Sequence, residues 1–239
     1  MSEEVFGRRT LAAAEPPRTE ARWIAEAERL HRRYQVEIVE SLGLCPWAAR
    51  ARLDDAFRAR VLLQTDTDVA ATLEAIDAFD ADARVDVAVV VYPRFEIGRV
   101  DFEGFVAQVR QADVARHPVG RAPFVSAAFH PGAMPDNRDA ERLIPFLRRT
   151  PDPTIQLLRS SLLDRVRAGT PQGTQFIDAR TLDIDISAFA PLPLRERIAR
   201  ANQTTVARVG IDELMRRFDD IADDRARTYR ALDAGERVP

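Results

Sequence analysis

Val85-Asp86-Val87-Ala88-Val89-Val90-Val91-Tyr92 is almost continuously apolar. A strand with one wet face alternates apolar and polar residues, so a run of this kind fits a central strand covered on both faces. Upstream, Phe57, Ala59, Val61 and Leu63 alternate with Arg58, Arg60 and Leu62, which predicts a strand with one better-buried face. Between the two, Asp68 is placed to cap a helix over Val69–Phe79. Downstream, Asp101 is placed to cap a helix over Phe102–Ala115, and Pro123–Phe129 reads as a third strand. Strand, helix, strand, helix, strand at spacings of about 30 residues fits right-handed crossovers. The expectation is an α/β fold with a small, mostly parallel sheet of three to four strands packed by helices. An α+β arrangement with an antiparallel sheet stays open.

The flanks are helical. Trp23, Leu30, Tyr34, Ile38 and Leu42 recur at helical spacing, predicting one helix from Thr19 to Leu42, with Gly43 as its stop. Pro46 fits the first turn of a short helix after it. Past His130 the chain is rich in Pro, Asp, Arg and Gly, with a short helix over Ala140–Arg148. Asp152-Pro153 has the form of a cap and first residue for a helix reaching about Arg167. Phe176-Ile177 reads as a short fourth strand, and Pro193–Val206 and Ile211–Leu232 as two helices split at Gly210. No linker divides the chain, so 19–232 is expected to be one domain, with 1–18 and 233–239 as flexible tails.

Composition narrows the function. The 239 residues carry 35 basic and 38 acidic side chains, a formal charge of −3, so nothing in the total suits a polyanion. No aromatic-interleaved basic stripe points to nucleic acid. No apolar run reaches the roughly 18 residues of a membrane span. All 35 basic residues are arginine, which excludes a Schiff base or a Walker lysine. The single cysteine excludes an internal disulfide. A cytoplasmic protein is the expectation, and no motif requires a cofactor or a metal.

Two residues stand out for chemistry. Cys45 precedes Pro46 at a predicted helix start, where unpaired amides favour thiolate; a small buried residue beside Leu44 and Trp47 is the plainer alternative. His130 closes the third predicted strand, at the sheet edge where open α/β folds bind ligands, and could act as acid or base or simply order its turn. Arg94, Asn137, Arg149 and Arg159 could hold an anionic small molecule, although in so arginine-rich a chain several fall near any site. Arg94 is expected on the same sheet edge as His130, and Arg159 inside the helix after Pro153. His31 reads as a solvated surface residue of the first helix, and His117 as part of a turn. Asp183 and Asp185 alternate like exposed strand residues and offer at most two ligands to a hard cation.

Leu44-Cys45-Pro46-Trp47-Ala48, Pro93-Arg94 with Asp101-Phe102 and Phe105, Phe129-His130-Pro131, Arg149-Thr150-Pro151-Asp152-Pro153, Leu157-Leu158-Arg159 and Asn202 with Gly210 together resemble the domain-of-unknown-function 1415 family, in order, from about Arg22 to Phe218. The resemblance brings no activity with it. It singles out Cys45, His130 and Arg159 as motif residues, while Gln156 and Arg148 stand where many relatives have histidine and asparagine. Three readings follow. The first is a small-molecule enzyme centred on Cys45 and His130 with an anionic substrate. The second is a partner-binding or scaffold domain without catalysis. The third is haem or small-ligand binding through Cys45-Pro46.

Overall fold

The computed structural model describes residues 18–45, 47–136, 138–169, 194–236 and 238. The N-terminal tail, the Phe176-Ile177 strand, Asp183, Asp185, Pro46 and Asn137 lie outside the described residues. Four strands form one sheet: β1 (Phe57–Val61), β2 (Val87–Val91), β3 (Phe124–Phe129) and β4 (Thr154–Arg159), in the order β1-β2-β4-β3. β1 and β2 pair in parallel, whereas β4 pairs antiparallel with both β2 and β3. The three strands expected from the sequence therefore run in one direction, and β4 is inserted against them. By pairing, the sheet is closer to the antiparallel alternative.

The helices are α1 (Arg18–Arg33), α2 (Ala48–Leu53), α3 (Ala70–Ala81), α4 (Arg99–Ala115), α5 (Ala140–Leu147), α6 (Ser160–Gly169), α7 (Leu194–Val209) and α8 (Ile211–Asp233). One sheet face carries Ala88 and Val90 of β2, Tyr92 just past its end, and Ile155 and Leu157 of β4, packed against Phe102 and Phe105 of α4 and Ile76 of α3. Val61, Val89 and Val91 point the other way, against Ala27 of α1. Also on that face, Phe129 of β3 joins Tyr34, Phe146 of α5 and Leu214 and Phe218 of α8. All five residues of β2 are buried, as a strand covered on both faces requires.

Two expected helices differ. The run from Thr19 to Leu42 is α1 followed by a π-helical stretch over Tyr34–Glu40, whose widened turns bury Gln35. Gln35 then donates to Glu40 at 3.1 Å, and Glu40 also pairs with Arg52 at 2.8 Å. The run after Pro153 is β4 first and α6 second, so Arg159 ends a strand rather than sitting in a helix. A short apolar run has no decisive period. Neighbouring strands on both sides saturate the backbone here. The Asp152 carboxylate, which a helix cap would need, is bound elsewhere.

His31 is a further correction. It is buried, its ring stacked on Phe57 at 6.4 Å, and Nδ1 has no hydrogen-bond partner among the described residues. Desolvation lowers its pKa to about 4.

Candidate functional site

Because β2 and β3 run one way and β4 the other, three loops meet at one sheet edge: Pro93-Arg94 leaving β2, His130-Pro131 leaving β3, and Arg149 to Pro153 entering β4. β4 runs roughly 20 Å from this edge to the other, six residues at about 3.3 Å each. Arg149 precedes it and Arg159 ends it.

His130 is buried, with both ring nitrogens engaged. Nε2 lies 3.0 Å from the Ile97 carbonyl, and the Gly132 amide donates to Nδ1 at 3.0 Å. That pattern fits a neutral imidazole carrying its proton on Nε2. Burial lowers its pKa, against a smaller raising effect of the Ile97 contact. The ring packs beside Phe102, on the α4 face of the sheet. A Cβ at Gly132 would come within 3.1 Å of Nδ1, so a side chain there requires the ring to give by a few tenths of an ångström.

Cys45 is half-buried and packs against the cluster of Tyr34, Leu44 and Phe129, on the opposite face. Burial pushes its thiol pKa up. The amides of Trp47 and Ala48 and the charge of Arg148 act in the other direction and less strongly. Cys45 packs with the cluster of Tyr34 and Phe129, whereas the His130 ring packs beside Phe102 on the other face of the sheet.

The arginines divide sharply. Arg94 is exposed and stacks over Trp23 of α1 at 5.4 Å. Arg159 stands at the far edge, where it bonds the carbonyls of Val85, Phe79 and Asp82 and pairs with Asp80 at 2.9 Å. It clamps the end of α3 and lies over Phe124 at 4.7 Å. Arg149 bonds the Pro131 carbonyl through Nε at 3.0 Å, the Met215 sulfur through Nη1 at 3.2 Å, and Asp219 through Nη2 at 3.2 Å. The first two contacts are hydrogen bonds and engage two of the five N–H hydrogens of a guanidinium, and the third is an ion pair.

Arg149 is also part of the wall of a cavity of about 50 Å³, with Pro131, Thr150, Pro151, Tyr34 and, from α8, Phe218 and Ile221. On the other side of its contacts with Met215 and Asp219, an open groove of about 500 Å³ runs along α8, lined by those two residues with Asp212, Arg216, Asp220 and Asp223.

Sequence reasoning missed the polar core beneath this edge. Asp152 is fully buried, pairs with Arg225 of α8 at 2.6 Å and accepts from the Tyr229 hydroxyl at 2.7 Å. Arg225 also reaches the Pro93 carbonyl at 3.3 Å, tying the β2 exit to the same cluster. Burial raises the Asp152 pKa despite these partners, and burial with the neighbouring carboxylate raises that of Tyr229. No local pattern marks Arg225 among so many arginines.

Among the described residues no group of three or more His, Cys, Asp or Glu side chains is arranged to hold a metal ion. Among them, too, no helix is long and apolar enough to cross a membrane. Comparison with known proteins places the chain in one family: residues 26–185 match the family described as "Protein of unknown function (DUF1415)". The chain belongs to the DUF1415 family. The match takes in the Cys-Pro, Pro-Arg, His-Pro and Arg-Thr-Pro-Asp-Pro segments and ends before Asn202 and Gly210. No curated protein and no solved structure matches.

Proposed function

We propose that this DUF1415 protein binds a small anion, a short carboxylate, in the cavity beside Arg149. One observation carries the reading. Arg149, permanently charged, is part of the cavity wall and spends one of its donors on the neighbouring Met215 thioether, a weak acceptor that a carboxylate oxygen outcompetes. The cavity is about a third of the roughly 150 Å³ that admits benzene, which suits a carboxylate with one or two carbons. Two motif loops, Pro131 and Arg149 to Pro151, supply four of the eight residues around it.

Reading Cys45 and His130 as nucleophile and base has less support. The imidazole nitrogens are both occupied, and burial disfavours the thiolate. The same raised pKa weakens the case for an axial haem thiolate.

The test is a thermal-shift titration with sodium formate against sodium chloride at equal ionic strength. Formate is expected to raise Tm in the wild type and not in Arg149→Leu. No shift in the wild type, or an equal shift in both proteins, overturns the proposal.

A further inference from the structure

We propose that Met215 is an oxidation site whose sulfoxide latches Arg149. Three observations place it. The Arg149 Nη1 donor lies 3.2 Å from Sδ. Met215 is half-buried and lines the open groove of about 500 Å³, which gives the residue a face toward solvent. Asp219, one helical turn further along α8, holds the same guanidinium through Nη2, which keeps Nη1 aimed at the sulfur.

The oxidant is hydrogen peroxide. A sulfur lone pair attacks one peroxide oxygen, the S–O bond forms and the O–O bond breaks. The departing hydroxide takes up the remaining proton and leaves as water. Sulfur loses two electrons and the peroxide gains them. A weak thioether acceptor becomes an S=O oxygen carrying partial negative charge, directly in front of a cationic donor. Oxidation of a packed methionine ordinarily disrupts its surroundings; here the new oxygen meets a partner already in place. The sulfoxide then competes at Arg149 with an incoming carboxylate. That last step rests on the anion-binding reading, whereas the latch itself needs only the Arg149–Met215 contact.

Met134, 66% exposed, is replaced by leucine so that its oxidation does not confuse the readout. The Met134→Leu protein is treated with hydrogen peroxide, and peptide mass spectrometry reports the fraction of sulfoxide at Met215 and at Met1. Tm is measured before and after, with and without Arg149→Leu. Oxidation is expected to be better tolerated by about 3 °C when Arg149 is present, the size of one hydrogen bond in a chain of this length. An equal change with and without Arg149, or a Met215 that oxidises only after unfolding, overturns the latch. Formate affinity is expected to fall about tenfold on full oxidation. Formate binding that full oxidation leaves unchanged overturns the competition at Arg149. Coupling to Arg149 in a protein that binds no formate in either state upholds the latch and overturns the anion reading. Met215→Gln sets an amide oxygen before Arg149 and is expected to weaken formate binding without any oxidant; a variant that binds formate as the parent does overturns the competition.

Discussion

Arg149 and Arg159 bracket one strand and meet opposite surroundings. At the Arg159 end the guanidinium bonds two backbone carbonyls at the end of α3, the Val85 carbonyl ahead of β2, and one carboxylate. At the Arg149 end it bonds one carbonyl and a thioether and pairs with one half-exposed carboxylate, beside a cavity. Both lie in motif segments, and arginine was chosen at both. The difference teaches that an arginine's role is set by the acceptors the fold offers it. Backbone carbonyls that cannot leave make a clamp. Weak or half-exposed acceptors beside a cavity are what the anion-binding proposal rests on.

The largest effect is expected at the Arg149 end, but beneath the cavity. Arg225→Met leaves the Asp152 carboxylate buried without its cation and is expected to cost about 3–5 kcal/mol in urea unfolding. The double variant Asp152→Asn with Arg225→Met should recover most of that. If it recovers nothing, the pair does not hold this edge.

The next effect belongs to neither end. His31 is protonated near 6.5 when unfolded and near about 4 when folded. Between those values the unfolded chain binds more protons, so stability is intact above about pH 6.5 and falls as pH drops toward 4. The full loss is about 3 kcal/mol. The His31→Phe variant, which keeps a ring against Phe57, should flatten most of that slope in urea midpoints measured from pH 4 to 7. An unchanged slope would assign acid sensitivity to other groups, His130 among them.

Arg159→Met sharpens the contrast directly. It is expected to cost about 1.5–3 kcal/mol, as charged hydrogen bonds to α3 carbonyls are lost, and to leave formate binding alone. Weaker formate binding in this variant would break the division between the two ends. Arg149→Leu is the mirror case: less than about 1 kcal/mol of stability, with formate binding abolished. The smallest effect concerns Cys45. Its alkylation rate against pH is expected to show an apparent pKa above about 8.5, unmoved by His130→Ala. A lower value that shifts with His130 would revive the thiol–imidazole reading.

Much of the fold was legible. β2, β3, α3 and α5 begin and end within about two residues of where hydrophobic period and capping residues put them. Arg94 and His130 share a sheet edge, as parallel β2 and β3 require. The site was less legible. Asp152 looked like a helix cap because Asp-Pro before an apolar run has that form; its carboxylate instead meets Arg225 and Tyr229, more than seventy residues away in sequence, over a span only folding closes. His31 looked solvated because its sequence neighbours are Arg32 and Arg33, yet helical geometry turns it inward onto Phe57.

The sequence by itself determined which segments are regular, that β2 is central, and which classes of chemistry the composition forbids. Those properties follow from local period, chain stiffness and side-chain inventory. The tertiary structure alone decided that residues 154–159 pair as a strand, that Cys45 and His130 face different clusters, and that Arg149 rather than Arg159 stands beside a cavity. Each of these depends on which groups compete for a backbone amide, a carboxylate or a guanidinium once water is excluded, and that competition is between residues distant in the chain.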